Sequence, residues 1–465
     1  MTRAGLQRVA FVFPPTGAYC REDRCQSYFS PDLVPAMRPP LEETAAAAGV
    51  RRAGGTPMLI DAPAEGLDEA AVLGRLQAFG PDLVSVTATW GSLDDDLAFV
   101  RVLRSRLPGV LVVLRGGPCY GEPGQLLDAG ADLLVRGDYE LVFEGLVREG
   151  LELAPGVTRR HQGQLVTTPP PLANDLDALP WADRSVLDAS RYVVRGTRRR
   201  QATVHVQRGC PFPCTYCLVA SVSGRKARHR SPDDVARELA ALVAEGYQFF
   251  YLRAETLTLD RRWARELGHA IARLAPTARW VSATRVDTTD EQTLAALKAG
   301  GCYGLSFGVE TGSARIGELI RKPPDLAQTR ELFRACDRQG IASLMYVMLG
   351  FLWETPLTQA ETEAFVRAVR PDLLTLYWAH PYPGTPYFEQ VRAEGLAIDP
   401  RQAQAAAALE PRELSRAVIR RRAALMTARH YARPAVMASV ARKLWPVLRP
   451  TREEARSFLE ASLSR

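Results

Sequence analysis

The sequence predicts an α/β protein built in series: a doubly wound parallel sheet, then a partial (β/α)6 barrel, then a helical C-terminal region. Three observations predict it. Short β-branched runs alternate with Ala-, Leu- and Arg-rich stretches of helical spacing across residues 8–140. A stretch over 150–200, punctuated by Pro155, Pro169–Pro171 and Pro180, interrupts them. From residue 201 the alternation restarts and runs through six strand-like segments. Such alternation specifies this class because each strand can be covered by the helix that follows it. The units are read as 1–150, a connecting segment 151–200, a barrel over 201–395, and a helical region 396–465.

In the first unit the strands are Arg8–Phe13, Thr56–Asp61, Leu83–Thr87, Leu111–Gly116 and Asp132–Val135, with Leu67–Phe79 and Leu93–Leu107 among the intervening helices. This is a Rossmann/flavodoxin-like pattern, in which ligands bind beyond the carboxyl ends of the strands. The loops that matter are therefore Pro14–Tyr28, Thr87–Asp94, Gly116–Gly124 and Gly137–Glu140. The connecting segment carries a small hairpin around His161–Thr168 and the basic run Arg198–Arg200, read as a solvated loop. The barrel strands are Ala202–Gln207, Gln248–Arg253, Arg279–Ala283, Tyr303–Gly308, Ala342–Leu349 and Leu373–Ala379. Helices Ser231–Glu245, Trp263–Leu274, Glu291–Ala299, Leu326–Gln339 and Thr358–Val369 separate them. A barrel of this type, TIM-like but incomplete, does its chemistry at the strand C-termini. After Pro400 the chain is Ala/Arg-rich and helical, broken by Pro434, Pro446 and Pro450.

Composition excludes several classes. With 46% hydrophobic and 24% charged residues over 465 positions, the chain is globular and neither disordered nor fibrous. No apolar run approaches the ~18 residues of a spanning helix. The N-terminal apolar stretch is cut off by Pro14-Pro15 and reads as a first strand, not a signal peptide, so a cytoplasmic location is expected. The charge, 59 − 52 = +7, permits an anionic partner but does not call for nucleic acid.

The strongest chemical signal lies directly after the first barrel strand, in Gly209-Cys210-Pro211-Phe212-Pro213-Cys214-Thr215-Tyr216-Cys217. Three thiolates on one loop can converge on a metal centre, yet they cannot close a four-coordinate zinc site without a fourth ligand. They suit an iron–sulfur cluster that keeps one iron open. Cys20 and Cys25 read as plain thiols, and Cys302 and Cys336 as barrel-core cysteines.

The CxxxCxΦC pattern, with Tyr216 before its last cysteine, resembles the cluster loop of the radical S-adenosylmethionine (SAM) enzymes. The resemblance implies a 4Fe-4S cluster on Cys210, Cys214 and Cys217, whose open iron chelates SAM, with Tyr216 near the adenine. Later strand ends are similar to the family as well. Arg253-Ala254-Glu255-Thr256 stands where relatives place an acidic residue near the SAM amino group, although the common Gly-Gly-Glu is absent. Thr284-Arg285-Val286-Asp287 resembles a frequent Thr-Arg-Val-Asp, with Arg285 suited to a carboxylate. Glu310, in Gly308-Val309-Glu310-Thr311-Gly312-Ser313, is placed for a ribose or amino contact. For these charged residues a salt bridge in the barrel mouth is the competing reading. Gly350-Phe351-Leu352-Trp353-Glu354-Thr355 and His380-Pro381-Tyr382-Pro383-Gly384-Thr385 are similar to two further family segments.

The first unit resembles the cobalamin-binding domain of cobalamin-dependent radical SAM enzymes. Gly116-Gly117-Pro118 and Gly137-Asp138-Tyr139-Glu140 carry that likeness, with Cys119, Asp138 and Tyr139 as departures from the usual Gly-Gly-Pro-His and Gly-Glu-Gly-Glu. The resemblance implies cobalamin contacts from Thr87, Thr89, Trp90, Gly116, Gly117, Pro118, Gly137 and Glu140. Trp90 could equally be a core aromatic. Residues 1–160 contain no histidine, so this unit cannot ligate cobalt through an imidazole.

Together the resemblances imply a methyltransferase that uses a 5′-deoxyadenosyl radical and cobalamin to methylate an unactivated carbon, with no catalytic side chain beyond the cofactors. Cyclisation, ring rearrangement and phosphorus methylation are the alternatives within enzymes. A non-catalytic cluster- or cobalamin-binding protein is the alternative outside them. The implied partners are a small-molecule or carrier-bound substrate and an external one-electron reductant of the flavodoxin or ferredoxin type.

Overall fold

In the first unit, the strands stand in the order Thr56–Asp61, Arg8–Phe13, Leu83–Thr87, Leu111–Arg115 and Leu133–Val135, all parallel. The structure, a computed structural model, describes residues 6–17, 19–21, 26–28, 38–121, 123–194, 199–396, 398 and 409–449. The strand order is the flavodoxin-like 2-1-3-4-5, whose switch point lies between Arg8–Phe13 and Leu83–Thr87. Val9, Phe11, Val84 and Val86 are fully buried, as strands covered on both faces require. The fourth strand stops at Arg115 because Gly116 turns to φ 112, toward the carbonyl of Ala88. Only a residue without a Cβ fits there.

The hairpin expected in the connecting segment is present, but it belongs to the sheet. Val157–His161 pairs antiparallel with Leu133–Val135, and Gln164–Thr167 extends the edge to seven strands. The sheet therefore runs past the boundary read at residue 150. A polar hairpin such as Arg159–His161 carries no hydrophobic signal of the sheet it joins, since one edge of it stays wet.

The second unit is a six-stranded parallel sheet in strict chain order: Arg200–His205, Tyr247–Arg253, Arg279–Thr284, Cys302–Glu310, Ala342–Leu349 and Leu373–Trp378. Helices Pro232–Ala244, Arg261–Leu274, Glu291–Ala299, Leu326–Gln339 and Pro356–Val369 cover its outer face. Ser231, Asp260, Asp290, Asp325 and Thr355 cap their N-termini by accepting main-chain N–H bonds. Cys302 and Cys336 lie in the core between helices and sheet. Cys25 and the side chain of Cys20 lie outside the described residues. Of the C-terminal region, Arg416–Tyr431 and Pro434–Leu448 are helical. Lys443 fastens the second of these to Asp337 and Asp372, each at 2.5 Å. No helix of the described residues is long and apolar enough to cross a membrane.

The two units are joined by buried charge. Arg208 reaches Asp138 at 2.9 Å and Glu140 at 2.7 Å, and Arg228 meets Asp138 at 2.6 Å. Burial works to raise the Asp138 carboxyl, but the two guanidiniums outweigh it and hold the group below the usual carboxylate range. Replacing Arg208 with Met should leave two buried carboxylates facing one guanidinium. We expect a loss of about 3–5 kcal/mol, the usual cost of breaking a buried ion pair. It should appear as a lower first transition in thermal unfolding, and an unchanged transition would refute the role of the junction.

Candidate active site

The C-terminal ends of the barrel strands surround a cavity of about 610 Å3. Cys210, Cys214 and Cys217 line it, together with Tyr216, Glu255, Arg285 and Glu310. The first strand delivers the loop. Gln207–Arg208 pairs antiparallel with Arg228–His229, and the Cys210 amide donates to the Gly224 carbonyl. The loop is anchored again in its middle, where Thr215 donates to Ile320 and accepts from Tyr387 through the main chain. Among the described residues no three His, Cys, Asp or Glu side chains close around a single metal ion. The three thiols instead share one cavity wall.

Their chemistry fits a cationic cluster. Burial pushes the Cys217 thiol up to about 12, and the nearby Cys214, Glu255 and Cys210 add to the rise. Burial raises Cys210 too. Three thiolates side by side need a cation to hold them, and bound metal reverses the local preference by deprotonating its ligands outright.

The other expected SAM contacts are gathered here, each already engaged. The Arg285 guanidinium lies 3.8 Å above the Phe212 ring, points one N–H at Cys214 Sγ at 3.6 Å, and grips Asp287 at 2.9 and 2.6 Å. The Arg285 fork, anticipated to suit a carboxylate, thus donates to Asp287 of its own motif. Glu310 accepts from Lys322 at 2.8 Å and adopts φ 71, unusual for a residue with a side chain. Burial, then the charges of Glu310 and the neighbouring cysteines, raises the Tyr216 phenol well above its ordinary value. Its ring meets the edge of Phe351 at 6.0 Å. Sequence reading passed over Lys322, Phe212 and Thr256, whose hydroxyl sits 3.7 Å from Cys210 Sγ. One signal for Lys322 was available: it is one of only four lysines in the chain.

On the first unit, the loops after Leu83–Thr87 and Leu111–Arg115 lie side by side, with the Ala88 amide donating to the Arg115 carbonyl. Thr87 is turned inward, donating to Glu43 at 2.6 Å. Thr89 is held by Ser92 and Asp96. Trp90 is buried, with its ring 6.4 Å from that of Tyr382 on the barrel. The turn Gly117–Tyr120, which includes Pro118, packs near the Val219–Val222 helix that follows the cysteines. An open crevice of about 710 Å3 flanks the switch point, lined in part by Pro15, Thr16, Asp95 and Phe99. None of the eight residues expected to contact cobalamin lines this crevice. Gly137 and Glu140 serve otherwise. A Cβ on Gly137 would fall 2.7 Å from the Pro171 ring, and Glu140 is the partner of Arg208. Glu140 thus belongs to the junction between the units, and Gly137 packs against the connecting segment.

The model of the radical SAM superfamily matches residues 204–361. This segment is a radical SAM domain. The chain is 28% identical over 403 residues to the uncharacterized methyltransferase PH0819 of Pyrococcus horikoshii, covering 84% of this chain and 85% of that protein. Its fold is that of two solved structures. The radical SAM methyltransferase TsrM from Kitasatospora setae, with cobalamin and a [4Fe-4S] cluster bound, superposes with a TM-score of 0.66 at 19% identity, covering 83% of this chain and 75% of TsrM. The cobalamin-dependent radical SAM enzyme OxsB, with aqua-cobalamin bound, gives 0.71 at 13% identity, covering 99% of this chain and 71% of OxsB.

Beside the radical SAM domain's cavity, Glu354 accepts from the Gly350 amide at 2.8 Å and from Gln359 at 2.9 Å. Burial lifts its carboxyl from the ordinary 4.5 to about 7. The neutral form is therefore the one the fold prefers. Between pH 4.5 and 7 the unfolded side chain has lost its proton while the folded one keeps it, so stability falls as pH rises through that window. Glu354→Gln should flatten this slope and stabilise the protein at pH 8 by up to about 3 kcal/mol. Chemical denaturation at pH 5 and pH 8 measures both effects; equal slopes in the two proteins would contradict the buried neutral acid.

Proposed function

We propose that the protein is a cobalamin-dependent radical SAM methyltransferase acting on an unactivated carbon. The observation that carries this reading is the shared cavity. Three cysteine thiols, Glu255, Arg285 and Glu310 face one space at the mouth of the radical SAM barrel. The loops of a switch-point domain meet that mouth through Gly117–Tyr120 and Trp90. When bound, a 4Fe-4S cluster, SAM and cobalamin would supply hydrogen abstraction and a transferable methyl group, chemistry outside the reach of amino-acid side chains.

The chain's own residues bind and orient. Cys210, Cys214 and Cys217 would hold the cluster. Glu255 and Glu310 offer carboxylates to the amino and ribose groups of SAM, and Arg285 offers its guanidinium to the SAM carboxylate in exchange for Asp287. Tyr216, backed by Phe351, offers an apolar ring for the adenine. Thr89, Trp90, Gly116, Gly117 and Pro118 border the surface on which cobalamin would lie, with Thr87 behind them. Trp90 and Tyr382 close the space between the units against water. Placement of reactants and exclusion of solvent are the whole contribution asked of the protein. The reductant is expected to be a flavodoxin or ferredoxin.

Replacing Cys214 with Ala should abolish the cluster's visible absorbance and all 5′-deoxyadenosine formation by the reconstituted protein. Cobalamin content should persist, because its loops lie on the other unit. Reductive SAM cleavage by this variant would overturn the assignment of the thiols. Mass spectrometry after incubation with methyl-labelled SAM then decides the reaction. A gain of one labelled methyl group supports methyl transfer, and loss of hydrogens without label would mark a cyclase or rearranging enzyme instead.

A further inference from the structure

The Arg285 guanidinium faces two ways. Its Nε and Nη2 donate to Asp287 at 2.9 and 2.6 Å, whereas Nη1 donates to Cys214 Sγ at 3.6 Å. Phe212 fixes the plane between them, with its ring centre 3.8 Å from the guanidinium carbon. Phe212 stands between Cys210 and Cys214, so the cysteine loop builds the platform for the cation that serves its own sulfur. A planar fork stacked on a ring and gripped by a carboxylate is a pre-organised donor, because little rotamer freedom is left to lose.

Cys210 has a side-chain partner of its own. The Thr256 hydroxyl lies 3.7 Å from Cys210 Sγ. The Thr256 amide donates to Gln207 Oε1 at 2.8 Å, and His229 meets the other side of this buried glutamine at 3.2 Å. Thr256 is thereby pinned to the chain three residues before Cys210. Its hydroxyl also donates to the Glu255 carbonyl at 2.8 Å. Beside a thiol that arrangement satisfies both groups, since S–H donates to the hydroxyl oxygen. A metal-bound sulfur only accepts, and it draws the hydroxyl hydrogen to itself.

We propose that Arg285 and Thr256 set the reduction potential of the cluster by donating hydrogen bonds to the sulfurs of Cys214 and Cys210. This rests on the reading that the three cysteines hold a 4Fe-4S cluster, and it names the residues that tune it. One-electron reduction adds negative charge to a group already held by three thiolates. Donors aimed at those sulfurs stabilise the added charge, so they raise the potential and ease reduction by an external donor. The role is separate from the contact offered to SAM. That contact uses the Nε–Nη2 edge now on Asp287, and Nη1 stays on Cys214.

The test is a potentiometric titration of the reconstituted full chain without SAM, read by electron paramagnetic resonance of the reduced cluster. Arg285→Met should lower the midpoint by a tenfold change in the one-electron equilibrium, about 59 mV. Thr256→Val should lower it by a smaller, several-fold change, and Thr256→Ser should restore the wild-type value. A packing role predicts the opposite order, since valine keeps the shape of threonine better than serine does. Exchange into D2O gives an independent signature. Electron–nuclear double resonance of the reduced wild-type cluster should show exchangeable protons that Arg285→Met and Thr256→Val each diminish. An unchanged midpoint in either variant, or exchangeable protons untouched by both, would overturn the proposal. If Arg285→Met holds no cluster, the threonine variants decide it alone. Iron and sulfide content separates the two readings. A wild-type protein without a four-iron cluster would sink the functional reading and this proposal with it, whereas full clusters with unshifted midpoints would sink this proposal alone.

Discussion

Arg208 stands two residues before Cys210, and its guanidinium is buried against Asp138 and Glu140 of the other unit. One side chain thereby sets where the cysteine loop begins and which face of the first sheet it confronts. Arg228 repeats the contact from the strand paired with Gln207–Arg208, so the loop's base is clamped on both sides. Had the junction been apolar, the two units could slide against each other at little cost. Paired charges in a dry interface tolerate no such slippage, because any displacement strands an ion without its partner. The price of desolvating four charges is a fixed register between the barrel mouth and the strand ends of the first unit.

That register explains the composition of the neighbouring loops. Gly121 has no Cβ where one would lie 2.9 Å from the Trp90 ring and 3.0 Å from Pro383. Gly384 similarly faces the Tyr120 carbonyl, and Ser221 donates to the Gly384 carbonyl at 3.2 Å. Four segments from two units therefore meet within a few ångströms beside the cysteines. The same principle operates at the other end of the barrel. There Lys443 joins Asp337 and Asp372, and Asp372 also accepts from the Ser343 amide and hydroxyl. Charge fixes placement at both ends, whereas apolar burial between helices and sheet supplies the bulk of the stability.

Much of the site was readable before the fold. Strand ends carry the chemistry of this class, so Cys210, Cys214, Cys217, Glu255, Arg285 and Glu310 could be placed together from their positions after successive strands. The structure gathers all six around one cavity. Gly137 and Glu140 were legible as strand-end residues, but not as a contact of the connecting segment and a part of the junction. Their partners, Pro171 and Arg208, lie 34 and 68 positions away, and nothing in local pattern announces a contact at that range. The hairpin of Val157–His161 and Gln164–Thr167 was visible as a hairpin, while its docking on Leu133–Val135 depended on a neighbour the hairpin itself does not encode.

The sequence by itself determined the two alternating α/β units, nearly every strand among the described residues, and the thiol loop, because periodicity and spacing are local properties of the chain. Tertiary structure alone decided that Arg285 grips Asp287, that Glu310 meets Lys322, and that Glu354 is a buried neutral acid. Those properties depend on which charges and rings face one another after the chain has closed. Coulomb interaction and desolvation act across space, and the order of residues does not record the distances on which they depend.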